Sequence, residues 1–337
     1  MALLVAKRLL GTLPNLFGIV LITFILTRAL PGDPAAFFAG PAGTQEAVEQ
    51  VREKLGLNRT LPEQFWIYVR ALAQGDLGQS LSTGQPVRQE MLVRLPASLE
   101  VVLSALLFAI AVAIPLGIAA ARHPNTWIDQ ACRLVTTAGV SLPTFFTGLL
   151  LAYLLYFVLG WAPSPIGRLD PYLTPPPDVT GLYTLDSLLA GDVKLFVASA
   201  KQLILPVLTL GIFVLAPIAR MTRASMLSVL SADFVRTARA SGLSSTTVLV
   251  RYAFRNALLP VVTTLGMVFS FLLGMSVIVE KVFAWPGVGS FALEALVASD
   301  YAPVQGFVLV MAVLYTLLNL AIDLLYVVID PRVRVAS

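Results

Sequence analysis

The chain has 337 residues, of which 57% are hydrophobic and 12% are charged, and its formal net charge is +4. A soluble domain carries about 25% charged residues, and a chain of this length cannot bury so large an apolar excess in one core. The composition therefore excludes an ordinary soluble protein and indicates a surface that faces lipid. In a membrane protein, a small positive net charge bears on how the chain is oriented across the membrane, and it does not suggest nucleic-acid binding.

Six uncharged stretches are each long enough to cross the hydrocarbon core of a bilayer, which takes about 20 helical residues. Because a helix satisfies its own backbone hydrogen bonds in lipid, each stretch predicts a transmembrane helix. We interpret the first as a retained signal anchor, since its apolar run is longer than that of a cleaved signal peptide. The stretches are 9–27, 101–121, one that starts at 134 and gives way to a loop at 161–165, 202–219, 256–279, and 301–322 with an extension toward 329.

The segment between the first two spans is too polar to cross a membrane, and it predicts a small extracytoplasmic helical subdomain. Residues 45–55 and 62–72 carry apolar side chains at helical spacing, and Gly56 is placed to end the first of these helices. A pair of helices lying on the lipid surface is the alternative. Residues 161–200 predict a second outside segment, in which the prolines of 175–177 favour irregular structure.

Lysine and arginine are concentrated in the segments that become cytoplasmic if the N-terminus lies inside the cell. By the positive-inside rule, both termini are therefore expected in the cytoplasm. The bias is strongest in residues 220–255, where six arginines accompany a single acidic residue, Asp233. These arginines are Arg220, Arg223, Arg236, Arg239, Arg251 and Arg255.

The sequence contains no recognisable catalytic or energy-coupling set. It has no Gly-x-x-x-x-Gly-Lys-Ser/Thr loop, so any ATP that drives this protein is hydrolysed by another subunit. The single cysteine, Cys132, and the single histidine, His123, exclude an internal disulfide and a Cys/His metal site. Glu100 and Asp323 are the acidic residues near enough to the spans to be candidates for a substrate pathway, with anchoring or packing as the alternative. Spans so poor in charge disfavour a proton-coupled carrier.

Residues 231–258 predict two short helices separated by a break. Ser231 is placed to cap the first helix, and Gly242 can end it in the left-handed conformation. Ser244 or Ser245 is placed to cap the second helix. A charged helix–break–helix between two spans would form a rigid projection on the cytoplasmic face. An ordinary loop whose arginines hold anionic lipid headgroups is the alternative.

Residues 233–243, followed by Arg-Asn-Ala-Leu-Leu-Pro at 255–260, resemble the EAA motif of binding-protein-dependent ABC importer permeases, and specifically its dipeptide/oligopeptide family. The glycine of the motif falls on Gly242, whereas Ser241 and Tyr252 depart from the common pattern. Further blocks that resemble this family follow its order along nearly the whole chain. They are 29–34, 75–80, 180–192, 220–227, 283–289 and 323–332.

The resemblance implies an all-α integral membrane protein with the type I ABC importer permease fold. Residues 1–30 would form the cytoplasmic tip and the first span, and 31–95 the extracytoplasmic subdomain. Residues 96–331 would form the permease domain, which contains the coupling loop, and 332–337 a cytoplasmic tail. The EAA segment of such a protein is a coupling helix seated in a groove of an ATPase subunit. The residues expected to couple are Arg236, Thr237, Ala238, Arg239, Gly242, Leu243, Arg255 and Asn256.

The resemblance also implies the partners. A second homologous permease would complete a heterodimer in the bacterial inner membrane. Two ATPase subunits would bind ATP and Mg²⁺, an extracytoplasmic binding protein would deliver the substrate, and no metal or cofactor is expected in this chain. The expected cargo is a di- or oligopeptide, with nickel chelates, glutathione or oligosaccharides as alternatives within the family. Two alternatives lie outside the ABC importers. One is a carrier driven by an ion gradient, and the other is a membrane-embedded enzyme.

Overall fold

The structure, a computed structural model, describes residues 2–29, 35, 43–54 and 56–329, without the side chains of residues 2–10, 13, 26–29, 54 and 327–329. These residues form helices and connecting loops, and within them the only strand-like pairing is an isolated bridge between Gln79 and Pro86. The helices are α1 (Ala2–Ala29), α2 (Gln45–Lys54), α3 (Leu61–Ala73), α4 (Val87–Arg122), α5 (Trp127–Ser141), α6 (Thr144–Val158), α7 (Tyr183–Leu189), α8 (Val193–Leu230), α9 (Asp233–Ala240), α10 (Ser245–Val282), α11 (Val288–Val297) and α12 (Tyr301–Ile329).

Four helices, α4, α8, α10 and α12, are long and apolar enough to cross a membrane. They contain the second, fourth, fifth and sixth predicted spans, which are thus confirmed as helices of sufficient length and apolar character. The first predicted span, 9–27, lies within α1, and the apolar part of α1 that the structure describes covers Pro14–Ile25. Large apolar side chains on these helices remain exposed, as the composition requires of a surface that faces lipid.

The third predicted span, which was expected to start at residue 134, consists of two helices with a sharp bend between them. Helix α5 already begins at Trp127, and it meets α6 at an angle of 103°. The break lies at Leu142, which is extended with φ −105° and ψ 142° and precedes Pro143. A proline disfavours the helical conformation in the residue before it, which accounts for the break. The pair is a broken span or a re-entrant loop.

One compact unit of the fold comprises Met1–Ala97 and Pro286–Leu317. The predicted helices 45–55 and 62–72 are confirmed as α2 and α3, and Gly56 ends the first with φ +65°. Aromatic rings join α3 to α1, with the ring centroid of Phe24 lying 5.3 Å from that of Phe65.

The second compact unit comprises Ser98–Trp285 and Leu318–Ser337. Helix α8 is central to it and packs against α5, α6, α7 and α10. Glycines allow close approach to α8: a Cβ atom at Gly117 of α4 would lie 2.8 Å from the carbonyl oxygen of Ala219. Small residues at such crossings let two membrane helices pack backbone against backbone.

Candidate coupling site

The segment between α8 and α10 contains the helix α9 and a tight turn. Helix α9 begins after Ala232, and the Ser231 hydroxyl donates a hydrogen bond of 2.8 Å to the carbonyl oxygen of Ser228. The prediction that Ser231 caps α9 is therefore wrong. Ser231 directly follows Leu230 as the C-cap of α8, and its hydroxyl is occupied by the preceding turn.

The predicted break at Gly242 is confirmed. Gly242 has φ +77°, and its N–H donates to the carbonyl oxygen of Arg239 at 3.0 Å. The N–H of Leu243 donates to the carbonyl oxygen of Ala238 at 3.4 Å, so two hydrogen bonds fix the turn. The Ser244 hydroxyl then accepts the N–H of Thr247 at 3.2 Å and caps the following helix, as predicted.

The second short helix is continuous with the fifth span and is not a separate element. Its first turn, Ser245–Thr247, leads into a π-helical stretch at Val248–Phe254 and then into the regular helix from Arg255. The whole of α10 is 38 residues long. A displacement of the turn at Gly242 would therefore act directly on one end of a membrane-spanning helix.

The inner side of α9 packs on its own chain. Val235 and Ala238 form a buried cluster with Val248 of α10, and Val229 and Leu230 at the end of α8 pack against it. Ala238 is only 6% exposed. Its methyl group is covered by Val248 of α10, and a contact of Ala238 with an ATPase stays a prediction.

The outer side of α9 and the turn form an exposed surface rich in arginine. Arg236 forms an ion pair with Asp233 on the surface of α9. The Asn256 side chain donates a hydrogen bond of 2.7 Å to the carbonyl oxygen of Tyr252. Seven of the eight predicted coupling residues are exposed: Arg236, Thr237, Arg239, Gly242, Leu243, Arg255 and Asn256. Their contact with an ATPase stays a prediction.

A buried carboxylate that the sequence analysis did not single out joins α5 to α8. Asp129 is fully buried and accepts two hydrogen bonds from Arg223, of 2.6 and 2.7 Å. Arg133 adds a bond of 2.9 Å, and the N–H of Asn125 adds one of 3.0 Å. The spacing of Asp129 and Arg133 on one helix face was a signal in the sequence, but the link to Arg223 was not.

The α8 end of this salt bridge lies one turn from a cluster that holds three helices together. Met226 of α8 packs with Ala121 of α4 and with Ala253 and Ala257 of α10. The two helices that flank α9 are therefore held together close to the coupling segment.

Glu100, one of the two candidate pathway residues, lies in a buried ion pair. Its carboxylate accepts a hydrogen bond of 2.7 Å from Arg168 and bonds of 2.8 Å from the N–H and the hydroxyl of Thr184. The Arg168 guanidinium also donates to the carbonyl oxygen of Gly181 and lies 3.6 Å from the ring centroid of Tyr183. The surroundings of Glu100 thus tie residues 168–184 to α4, as expected of the packing alternative.

Asp323, the other candidate, is half-buried in α12. The residues that bind the Glu100 carboxylate all come from residues 168–184. A role of either acid in a substrate pathway stays a prediction.

Another buried carboxylate, that of Asp186, closes the loop before α7. It accepts hydrogen bonds from the N–H and the hydroxyl of Thr180, at 2.8 and 2.7 Å, and from the N–H of Gly181 at 2.9 Å. Burial by itself raises the pKa of this carboxyl, but the hydrogen bonds outweigh it and hold the pKa below its ordinary value. The ionised form therefore stabilises the loop.

Residues 113–335 match the model of the family described as binding-protein-dependent transport system inner membrane component. Residues 1–102 match the N-terminal region of the same kind of membrane component. The chain belongs to this family of permeases. The permease is thus an inner membrane protein by family, and the resemblance to binding-protein-dependent importer permeases is confirmed.

Several full-length relatives are known. The permease is 45% identical over 316 residues to the probable D,D-dipeptide transport system permease protein DdpB of Escherichia coli K12, covering 94% of this chain and 93% of that protein. It is 39% identical to the dipeptide transport system permease protein DppB of Alkalihalophilus pseudofirmus, covering 97% and 98%. It is 38% identical to the glutathione transport system permease protein GsiC of Escherichia coli K12, covering 98% of each.

A solved structure shares the fold. A chain of the MetNI methionine ABC transporter, in an inward-facing conformation, superposes with a TM-score of 0.52 at 18% sequence identity. The match covers 71% of this permease and 96% of that chain. The all-helical type I importer permease fold expected from the sequence is confirmed.

Proposed function

We propose that this permease is the membrane-spanning subunit of an importer that moves small peptides, with ATP hydrolysed on two separate subunits. The observation that carries the proposal is the exposed, arginine-rich α9, fixed by the Gly242 turn and joined directly to α10. Two full-length relatives, at 45% and 39% identity, are named for dipeptide transport, which supports a peptide as the cargo. Glutathione, itself a small peptide, is the second candidate because of the 38% identical relative named for it.

The outer side of α9 would dock in a groove of an ATPase subunit. Arg236 and Arg239 would pair there with acidic groups, since guanidinium and carboxylate form strong two-pronged hydrogen bonds. Closure of the ATPases on ATP would push α9 as a rigid body. The motion would then pass to α8 and α10. These helices are joined by the buried cluster that contains Val235 and by the one that contains Met226.

The remaining partners follow from the same proposal. Both termini would lie in the cytoplasm, in line with the arginines of 220–255. A second, homologous permease would complete the pathway as a heterodimer. An extracytoplasmic binding protein would deliver the peptide to the outer face, and no cofactor would reside in this chain.

Site-directed crosslinking tests the coupling assignment. In a Cys132→Ala background, Thr237→Cys should crosslink to an ATPase subunit in the assembled transporter, and the yield should change when ATP is added. Lys194→Cys is the matched control, because Lys194 is exposed at the opposite end of α8, about 50 Å of helix away. Equal crosslinking from the two positions, or none from Thr237→Cys, would refute the docking of α9.

The cargo is tested with the complete transporter in proteoliposomes that enclose ATP and have the binding protein outside. Uptake of a labelled dipeptide should depend on enclosed ATP and should persist when the proton gradient is collapsed. Competition by unlabelled glutathione distinguishes the two candidate cargoes. Accumulation driven by a proton gradient without any ATPase present would instead establish an ion-coupled carrier.

A further inference from the structure

A cavity of about 590 Å³ lies within the first compact unit, apart from the coupling site. Its walls come from α1, residues 56–57, α3, the loop at residues 76–86 and the start of α12. Sites for small organic molecules have volumes of about 300–1,000 Å³. The cavity is therefore large enough for a ligand of several heavy atoms.

Three polar side-chain atoms at this cavity are buried and have no hydrogen-bond partner among the residues that the structure describes: Oε1 of Gln64, the hydroxyl of Tyr68 and Oδ1 of Asp300. The amide nitrogen of Gln64 is used, since it donates to the carbonyl oxygens of Leu57 and Arg59 at 3.0 and 2.8 Å. Its Oε1 atom is thereby fixed in orientation. An unsatisfied buried polar group costs about 1–3 kcal/mol, so three of them around one cavity favour binding of a polar group there.

Of these three residues, Asp300 gives the strongest indication of a ligand-binding site. Its side chain is fully buried, and Oδ2 accepts hydrogen bonds from the Ser80 hydroxyl at 2.7 Å and from the N–H of Ser82 at 3.0 Å. Its position directly before α12 would suit a helix cap, but Pro303 removes one of the N–H groups that a cap accepts. Within the described part of the chain, Oδ1 has no hydrogen-bond partner.

The acidic residues that line the cavity favour a positively charged ligand. Asp76 and Asp300 are both among the described residues that line the cavity, and no lysine or arginine is among them. Burial raises the pKa of Tyr68 to about 12, so its hydroxyl is neutral and can accept or donate a hydrogen bond. Much of the remaining wall is apolar, with Leu57 and Leu77 among its side chains.

We propose that this cavity is a binding site for a small organic cation that has one ammonium group on an apolar body. The ammonium group would donate its three hydrogen bonds to Asp300 Oδ1, Gln64 Oε1 and the Tyr68 hydroxyl oxygen, and the apolar body would lie against the leucines. A metal ion is disfavoured, because no group of three His, Cys, Asp or Glu side chains among the described residues could hold one. The site does not depend on the proposed peptide transport.

Binding to the full-length permease in lipid nanodiscs tests the proposal. The probes are phenethylamine and 2-phenylethanol, which have the same apolar body and differ in the ammonium group, with empty nanodiscs measured for background. Equilibrium dialysis should show that phenethylamine binds at least tenfold more tightly than the alcohol. Asp300→Asn should remove this preference, and Tyr68→Phe should weaken phenethylamine binding about threefold.

The matched control is Glu46→Gln, an exposed acidic residue of the same compact unit. It removes the same charge and should leave both affinities unchanged. Equal binding of the two probes to the wild type, or an Asp300→Asn affinity within twofold of the wild type, would overturn the proposal. If Asp300→Asn fails to fold, Tyr68→Phe decides, and an unchanged affinity refutes the site. Because no ATPase is present, neither result bears on import.

Discussion

Arg223 and Asp129 form a two-pronged salt bridge between α8 and α5, in which Nε lies 2.6 Å from Oδ1 and Nη2 lies 2.7 Å from Oδ2. The carboxylate is fully buried, whereas the Arg223 side chain is 21% exposed. The pair holds the bent α5 against the helix that leads into the coupling segment. Its loss should therefore affect both stability and coupling.

Asp129→Asn should destabilise the permease by about 3 kcal/mol, because it leaves a partly buried arginine without its counter-charge. The free energy of unfolding is measured in mixed detergent, and the rate of peptide import is measured with the assembled transporter. Arg133→Gln is the control: it removes another partner of the same carboxylate, but its side chain is 58% exposed, so it should cost less than about 1 kcal/mol. Equal losses for the two variants would contradict this account.

Gly242→Val should reduce peptide import at least tenfold while the protein still inserts into the membrane. At φ +77° a β-branched residue is strained by about 1–2 kcal/mol, although a Cβ atom would meet nothing within 4 Å. The defect would therefore come from the backbone turn and not from a clash. Because asparagine tolerates the left-handed conformation, Gly242→Asn should keep most of the import activity. Normal import by Gly242→Val at a normal expression level would remove the turn from the mechanism.

Glu100→Gln should destabilise the second compact unit by about 3–5 kcal/mol, because Arg168 would be left as a buried charge. The segment around Gly181 and Thr184 should become sensitive to protease. Asp170→Asn, which removes an exposed acid from the same loop, should change stability by less than about 0.5 kcal/mol. If Glu100→Gln left stability intact and changed only the apparent affinity for peptide, the pathway role would be preferred over the packing role.

Gly117→Ala should destabilise the contact between α4 and α8 by about 1–3 kcal/mol through overpacking. The added methyl group would lie 2.7 Å from Cβ of Thr222 and 2.8 Å from a backbone oxygen, so one helix must move. Gly274→Ala is the same change in α10 at a position where nothing lies within 4 Å. It should be neutral or slightly stabilising, since alanine favours helix by about 1 kcal/mol. Thermal unfolding in detergent compares the two, and similar midpoints would contradict the close approach.

Acid should open the loop closed by Asp186. The folded-state pKa of this carboxyl lies below its ordinary value of 3.8, so its contribution to stability is present above that value and is lost as the pH falls through the folded pKa. Protease cleavage near Gly181 should therefore increase below about pH 4. Asp186→Asn should be cleaved at neutral pH with little further pH dependence, whereas Asp178→Asn, at an exposed site, should behave as the wild type.

Local properties of the sequence were sufficient for much of this permease. Hydropathy located the second, fourth, fifth and sixth spans, because an uncharged run of helical length is favourable only in lipid. The left-handed turn at Gly242 and the cap at Ser244 were also predicted, since both depend on the conformational preferences of single residues. The family could be recognised for the same reason, as its motifs are short runs of adjacent residues.

Contacts between distant residues were decided only by the tertiary structure. The sequence does not show that Arg223 reaches Asp129, that Arg168 neutralises Glu100, or that Ala238 faces inward against Val248. Nor does it show that Asp300 lines a cavity with Gln64. Each of these depends on how helices pack, and the free energy of a buried charge depends on the partner that packing brings to it.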